Sequence, residues 1–287
     1  MPKRDIVVIG ASAGGVPALL KLVAGLPAGL PAAVFVVIHM RPGHDSQLPE
    51  LLSQRGPLPA VHAIHGEAIV PGRIYVGPMD NHLMLRFGYM HVARGPKENG
   101  HRPSVDALFR TAARAYGPRV VAVVLTGHGD CGTAGLMSVR ARGGVGVVQD
   151  PEEAMAPDMP RHALRLAAPE HVAPLEQIPA LIARLVREAG PAGPQAIGTV
   201  SRDVMELEGD ELGVRAEAVC PLCQGVLTRS EVNGHESYRC HVGHAFSLGS
   251  MAYEQAESVE RALWSAVRAL EESASLAHRL SGRSEIG

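Results

Sequence analysis

Short runs of apolar residues alternate with amphipathic segments along the first 186 residues of the chain. The longest runs are entirely apolar, as expected of strands buried on both faces of a parallel sheet, and cover residues 6–9, 34–38 and 120–125. Shorter runs predict strands at residues 74–76 and 145–148, and a hairpin from residues 83–85 and 90–92. Helices are predicted at residues 17–25, 46–53 and 105–116. We therefore expect an α/β fold: a mostly parallel, doubly wound sheet with helices on both faces.

The pattern changes after residue 186 and divides the chain into three parts. Residues 1–186 form the predicted α/β domain, and residues 187–215 are rich in glycine, proline and acidic residues, which is typical of a linker. Residues 216–287 form a small C-terminal module ending in a long helix from about residue 247 to 280. An apolar stripe on this helix fits docking on the first domain, which we favour, or pairing with another helix: Val259, Leu263, Ala266, Leu270, Ala274 and Ala277.

A glycine-rich turn with a central serine follows the first strand. Gly10, Ser12 and Gly14 fit the G-x-S-x-G pattern, in which a tight strand-to-helix turn exposes a nucleophilic serine. A dinucleotide-binding loop is the second interpretation, but Ser12 stands where its second glycine belongs. The third is an ordinary turn with a small polar residue.

Three chemically useful side chains follow the ends of predicted buried strands. Ser12 follows the first, His39 the second, and Asp130 lies in the loop after the third. Ligand crevices of open α/β sheets lie beyond the carboxyl ends of the strands, so these side chains can converge. A serine nucleophile, a histidine base and an orienting acid are the parts of acyl transfer, and backbone N–H groups of Ala13 and Gly14 could hold the oxyanion.

The C-terminal module carries soft metal ligands. Cys220 and Cys223 form a C-x-x-C pair, and Cys240 follows after hairpin signals, with His244 or His241 as the fourth ligand. This spacing predicts a zinc-ribbon-like module with a structural zinc ion, because four protein ligands leave no open position for catalysis. Metal-free, reduced cysteines are the alternative interpretation.

Composition narrows the class of protein. The net charge of −2 argues against a nucleic-acid surface, and no apolar run approaches the roughly 18 residues of a membrane span, so we expect neither nucleic-acid binding nor membrane insertion. The N-terminus has no signal-peptide pattern, and three of the four cysteines are clustered. We therefore expect a cytoplasmic protein.

Six ordered segments resemble the catalytic domain of bacterial chemotaxis protein-glutamate methylesterases of the CheB type: VVIGASAGGVPAL, VVIHMRPG, IYVGPMDNHLML, HRPSVDALFRTAA, VVLTGHGDCGTAGL and MPRHAL. The likeness covers roughly residues 5–186, and the C-terminal extension resembles one seen on some stand-alone members. Such enzymes hydrolyse glutamate γ-methyl esters on methyl-accepting receptors and deamidate certain glutamines by a Ser–His–Asp triad. The resemblance implies that Ser12 is the nucleophile and His39 the base, with no cofactor for catalysis.

The loop after the third long strand departs from the family pattern. The family aspartate aligns with Cys131, whereas Asp130 occupies the preceding, variable position. His128 stands where methionine is usual, and Ala13 where threonine is often found. Cys131 is therefore either the altered triad position or a reactive thiol, and His128 is an additional imidazole near the mouth of the site.

Three hypotheses follow from the sequence. The favoured one is an active hydrolase of receptor methyl esters using Ser12, His39 and Asp130. The second is a catalytically impaired receptor- or partner-binding protein on the same scaffold, and the third is a nucleotide-binding protein. The resemblance also implies a form without the receiver domain that precedes the esterase in classical members. Chemotaxis receptors are the expected partners, with a receptor methyltransferase or a separate response regulator as further candidates.

Overall fold

The computed structural model describes residues 3–40, 46–188, 213–232 and 235–284. The helices are α1 (Gly15–Ala24), α2 (Leu48–Arg55), α3 (Val105–Tyr116), α4 (Thr133–Ala141), α5 (Asp158–His162), α6 (Ile178–Leu185) and α7 (Leu248–Ser284). The strands of the first domain are β1 (Ile6–Ala11), β2 (Ala33–Ile38), β3 (Ala60–His62), β4 (Ile74–Val76), β5 (His82–Arg86), β6 (Tyr89–Ala93), β7 (Val120–Val124), β8 (Val145–Gln149) and β9 (His171–Ala173). Those of the C-terminal module are β10 (Val214–Val219), β11 (Val226–Val232), β12 (His235–Cys240) and β13 (Ala245–Ser247).

A seven-stranded sheet in the order β3-β4-β2-β1-β7-β8-β9 forms the centre of the first domain. Its paired strands run parallel, which confirms the α/β prediction. Successive residues of a strand face opposite sides, so Val7 and Ile9 join the core on one face while Ile6 and Val8 join that on the other. Helices α1, α2 and α6 supply residues to the first core, and α3 and α4 to the second. The long apolar runs are explained by this burial on both faces.

Several elements differ from the predicted ones. Helix α1 begins at Gly15 rather than at Pro17, because Gly14 adopts a left-handed conformation (φ 74°) as its N-cap. Strands β3 and β9 were not predicted, because each is short and has only one buried residue, so neither forms an apolar run like that of β4. Most of the predicted linker lies outside the described residues, and β10 begins at Val214, just inside the predicted linker range.

The C-terminal module is a four-stranded antiparallel sheet in the order β10-β11-β12-β13, followed directly by α7. Among the described residues, its small hydrophobic core contains five buried residues: Cys220, Leu227, Cys240, Phe246 and Met251. So small a core is a weak source of stability, and domains of this size commonly rely on a metal. Within the described part of the chain, no helix is both long enough and apolar enough to cross a membrane.

Candidate active site

Ser12 occupies a tight turn directly after β1. Its backbone N–H donates to the Thr126 carbonyl oxygen (2.9 Å), and its own carbonyl accepts from the Gly15 N–H (2.8 Å). The turn also requires glycine at position 127, because a Cβ there would lie 2.7 Å from the Ser12 Cβ. Ser12 is therefore held at the start of α1, where the positive end of the helix dipole favours negative charge.

His39 lies beside Ser12 because their strands pair in register. Strands β1 and β2 are parallel with Ala11 opposite Ile38, so Ser12 and His39 are the next residues on adjacent strands, which lie about 4.8 Å apart. The His39 N–H donates to the Ala11 carbonyl oxygen (3.1 Å), which continues the ladder by one residue. The predicted convergence of serine and histidine at this edge of the sheet is thus observed.

The His39 side chain is half-buried with both ring nitrogens inaccessible, and its imidazole stacks on His101, with ring centroids 3.7 Å apart and planes inclined by 16°. Neither ring nitrogen has a hydrogen-bond partner among the described residues. Burial, and next the neighbouring His101 ring, lower the pKa of His39 well below its ordinary value of 6.5. Burial, followed by the charge of Lys97, lowers the pKa of His101 to about 4. Both rings are therefore neutral at neutral pH, and His39 is in the form that accepts a proton.

Asp130 is buried but is not hydrogen-bonded to His39. Its Oδ1 atom has no hydrogen-bond partner within the described ranges, and its Oδ2 faces the start of α7, where a Cβ at Gly249 would be 3.3 Å away. The three predicted residues therefore do not form a closed triad here. Catalytic hydrogen bonds are often long in the free enzyme and tighten when substrate binds.

Cys131 is buried and contacts Ser104. Its Sγ lies 3.5 Å from the Ser104 Oγ, inside the core formed by α3 and α4. Burial, and next the negative charge of Asp106, raise the pKa of the Cys131 thiol well above its ordinary value. Because a thiolate is the reactive form of cysteine, these surroundings disfavour the interpretation of Cys131 as a reactive thiol.

The remaining loop residues named from the sequence lie around the turn. The Ala13 carbonyl oxygen accepts a hydrogen bond from Thr126 Oγ1 (2.9 Å), and Gly14 precedes the first residue of α1. His128 is largely exposed, and its Nδ1 is 3.0 Å from the Asp158 carboxylate. His128 therefore faces an acid on α5 and has no contact with His39.

Two residues of the site escaped the sequence reasoning. His101 lies in the block HRPSVDALFRTAA, but it follows no strand, so no pattern assigned it a role. Asn99 lies in the same loop and joins the two domains: its Oδ1 accepts from the Ser247 N–H (2.9 Å) and the Ser250 Oγ (2.7 Å), and its Nδ2 donates to Asp106 (2.8 Å). The Asn99 N–H also donates to the Ala245 carbonyl oxygen (2.7 Å). The C-terminal module is thus fixed to the loop that carries His101.

Four soft ligands converge in the C-terminal module: Cys220, Cys223, Cys240 and His244. The Cys223 and Cys240 sulfurs are 3.6 Å apart, and the His244 Nδ1 is 3.6 Å from the Cys220 sulfur and 3.5 Å from that of Cys240. His244, rather than the alternative His241, occupies the fourth position. The cluster could hold a metal ion.

Comparison with known proteins defines the family. Residues 7–182 match the family model described as "CheB methylesterase". The chain belongs to the CheB methylesterase family. A protein-glutamate methylesterase/protein-glutamine glutaminase from Anaeromyxobacter dehalogenans is 40% identical over 190 residues, which are 65% of this chain and 53% of the relative. One from Methanosarcina mazei is 37% identical over 192 residues, or 64% of this chain and 52% of the relative.

The fold of the family is also matched by a solved structure. The crystal structure of the Thermotoga maritima CheB methylesterase catalytic domain is 34% identical to this chain, with a TM-score of 0.62, and the match covers 64% of this chain and all of that domain. The chain spans about half the length of the curated relatives it matches. The resemblance stated from the ordered motifs is therefore confirmed for the α/β domain.

Proposed function

We propose that this CheB-family chain hydrolyses glutamyl methyl esters on methyl-accepting chemotaxis receptors and deamidates glutamine side chains there. The observation that carries the proposal is the in-register placement of Ser12 and a neutral His39, whose ring nitrogens are buried, at adjacent strand ends. The names of the matched relatives support the substrate class. Methanol release from a methylated receptor cytoplasmic fragment tests the proposal, and a folded protein that releases none would contradict it.

The proposed reaction divides ester hydrolysis into two acyl-transfer steps. Ser12 Oγ attacks the ester carbonyl carbon while its proton passes to His39, and N–H groups of Ala13 and Gly14 at the start of α1 stabilise the oxyanion. Collapse of the intermediate breaks the bond to the methoxy oxygen, which leaves as methanol with the proton from His39. Water then attacks the acyl-enzyme with the same base. With glutamine as substrate the leaving group is ammonia.

We assign the orienting acid to Asp130. Its carboxylate lies in the loop beyond β7, at the same edge of the sheet as Ser12. The buried Oδ1 atom has no hydrogen-bond partner in the part of the chain that the structure describes. A buried carboxylate oxygen without a donor is costly and is readily satisfied by an imidazole N–H. In the proposed mechanism, a movement of this loop on substrate binding brings Oδ1 to the imidazole of His39 and makes that bond.

The lowered pKa of His39 predicts an unusual pH profile for the esterase. The base works only when neutral, so activity should persist below pH 6.5 and be lost only as the pH falls through the lowered pKa. The substitution His101→Asn removes part of the packing around the His39 imidazole, together with the electrostatic effect of the His101 ring. The pKa of His39 should then rise, and the acid limb of kcat/KM should move toward pH 6.5.

The measurement is kcat/KM for methanol release between pH 4 and pH 8. This range extends to both sides of the ordinary histidine pKa of about 6.5. His171→Asn, a histidine on the distant edge strand β9, is the matched control and should keep the wild-type profile. A wild-type acid limb at or above pH 6.5 would contradict the assignment of His39 as a base with a lowered pKa.

We propose that the ligand cluster holds a structural zinc ion and that the module is a zinc ribbon. Tetrahedral zinc with ordinary bond lengths places two sulfurs about 3.8 Å apart, and a sulfur and a nitrogen about 3.6 Å apart. The observed separations of 3.6 Å between sulfurs and 3.5–3.6 Å to nitrogen fit that geometry. The four protein ligands fill the coordination sphere, so the metal would stabilise the module and take no part in catalysis.

Zinc content should depend on the cluster and on no other cysteine. Metal analysis should find about one zinc ion per chain in the wild type and in Cys131→Ser, the matched control, and little in Cys240→Ser. Chelation should increase hydrogen exchange in β10–β13 and in the loop around Asn99, while β1 and β7 stay protected. Equal zinc content in the two variants would contradict the site.

The cellular setting is also part of the proposal. None of the four cysteines forms a disulfide, which fits a reducing cytoplasm and metal-bound thiolates at the cluster. A receptor methyltransferase or a separate response regulator would then be a second class of partner, acting on the same receptors or controlling access to the site.

A further inference from the structure

The loop between β6 and α3 contains a tight turn that ends at His101. The His101 N–H donates to the Glu98 carbonyl oxygen (3.0 Å), and the Glu98 N–H donates to the His101 carbonyl oxygen (3.2 Å). The central residues Asn99 and Gly100 have positive φ angles of 51° and 75°, as in a type I′ turn, for which Asn-Gly is a favoured pair. Contacts that fix Asn99 in this turn therefore also fix the position of His101.

Asn99 is hydrogen-bonded to the α/β domain and to the C-terminal module. On the first side, its Nδ2 donates to the buried Asp106 carboxylate of α3 (2.8 Å). On the second side, its N–H donates to the Ala245 carbonyl oxygen (2.7 Å), and its Oδ1 accepts from the Ser247 N–H (2.9 Å) and the Ser250 Oγ (2.7 Å). The turn is therefore attached to the end of β13 and to the first turn of α7 as well as to its own domain.

The module also packs closely against this loop. A Cβ at Gly100 would lie 3.0 Å from the carboxyl carbon of Glu254 on α7, and a Cβ at Gly243 would lie 2.8 Å from the Cγ atom of Pro96. Such close contacts on both sides of the hydrogen bonds limit the movement of the turn relative to the module.

The apolar stripe predicted on α7 lies outside this contact. From residue 259 to residue 279 every residue of the helix is exposed, including the row of apolar residues from Val259 to Ala277. In this row, Val259 is 53% exposed, Leu263 62% and Leu270 70%. Docking of the stripe on the α/β domain, which the sequence favoured, is therefore not observed. The start of α7 makes the contact instead, through Ser250 and Glu254.

The imidazole of His39 depends on packing for its orientation. Neither ring nitrogen has a hydrogen-bond partner among the residues that the structure describes, and the terminal torsion of a histidine side chain has only a broad preference of its own. The nearly parallel stack on His101, with ring centroids 3.7 Å apart, restricts rotation of the ring. A base must bring a nitrogen within hydrogen-bond reach of the serine hydroxyl, so the orientation of this ring affects the rate.

We propose that the C-terminal module positions the catalytic base, with Asn99 and Ser250 as positioning residues that hold His101 against the His39 imidazole. The module then acts on the reaction without touching the substrate. This inference rests on the proposed function, since it takes His39 as the base of the esterase. The connection from Ser250 through Asn99 and His101 to His39 can be measured whether or not the chain is an esterase.

The substitution Asn99→Ala in the full chain removes the side-chain hydrogen bonds of this connection. Because a displacement of about 1 Å at a catalytic group can lower a rate about 100-fold, kcat for methanol release should fall at least about tenfold. KM should change by less than about twofold, since a positioning residue does not contribute to substrate binding. An unchanged kcat in a folded Asn99→Ala protein would overturn the proposal.

Ser250 tests the connection from the module, 151 residues from Asn99 in the chain. Ser250→Ala should lower kcat about threefold, as expected for the loss of one hydrogen bond, and Ser250→Thr, which keeps the hydroxyl, should retain the wild-type kcat. Ser230→Ala is the matched control and should also retain it, because the Ser230 hydroxyl bonds to Ser237 within the module (2.8 Å). Equal losses in Ser230→Ala and Ser250→Ala would contradict the positioning role.

Histidine NMR of the full chain separates this connection from the esterase activity. The stacked His101 ring shifts the ring-proton resonances of His39, which His39→Gln identifies, and His101→Ala gives their positions without the stack. Asn99→Ala should move these resonances toward the His101→Ala positions, whereas Ser230→Ala should leave them at the wild-type positions. Unmoved resonances in Asn99→Ala would overturn the proposal even for an active esterase. Moved resonances in a chain that releases no methanol would support the connection and contradict the proposed function.

Discussion

We expect Ser12→Ala to lower methanol release from a methylated receptor fragment by at least about four orders of magnitude. The reason is that removing a serine nucleophile removes both acyl-transfer steps, which in serine hydrolases costs up to about six orders of magnitude. The substitution deletes only one oxygen from a side chain on a turn whose hydrogen bonds are made by the backbone. The fold and the binding of receptor should therefore remain unchanged.

Ser138→Ala is the matched control, since that serine lies on α4 and its Oγ bonds to the Ala134 carbonyl oxygen. It should release methanol at the wild-type rate. If Ser12→Ala kept a substantial fraction of the wild-type rate, Ser12 would not be the nucleophile, and the proposed mechanism would be wrong even if the chain bound receptors.

The second large effect on the rate is expected for Asp130, the proposed orienting acid. If Asp130 orients the imidazolium of His39, Asp130→Asn should lower kcat by about four orders of magnitude with little change in KM, as for the orienting acid of serine proteases. Asp158, an exposed acid at the start of α5, provides the control. The substitution Asp158→Asn should change kcat by less than about tenfold, because an exposed charge is screened by solvent.

Cys131→Asp separates the two candidate positions for the acid. In the described structure this side chain points toward Ser104 and the negatively charged Asp106, so a carboxylate there would be destabilised. We expect that variant to be less stable and no faster than the wild type. A silent wild type that gains turnover from Cys131→Asp would show that the chain is a binding protein on an esterase scaffold.

Features of the fold and the site that are encoded by neighbouring residues could be predicted from the sequence. Strands β1, β2 and β7 were predictable because burial on both faces demands long apolar runs, which are visible locally. Ser12 and His39 were predictable because they come directly after such runs, and parallel strands end at the same edge. The cysteines of the cluster were predictable from their spacing, whereas the sequence left His244 and His241 open as the fourth member.

Other features depend on contacts between distant parts of the chain. The stacking of His101 on His39 and the attachment of the C-terminal module through Asn99 join residues that no local pattern connects. The orientations of the side chains in the loop after β7 could not be predicted from the sequence either, because adjacent loop residues face different surroundings. Asp130 faces Gly249 from the far end of the chain, and Cys131 faces the core.

By itself, the sequence determined the α/β domain, the serine–histidine pair, the ligand cluster and the apolar row on α7, because each is encoded by residues close together in the chain. Only the tertiary structure decided that the ring nitrogens of His39 are buried and its pKa lowered, that Asp130 and Cys131 face different neighbours, that His244 completes the cluster, and that the apolar row on α7 is left exposed. Burial, electrostatic environment and the presence of a partner face are properties of assembled surfaces, so they arise only when distant segments come together.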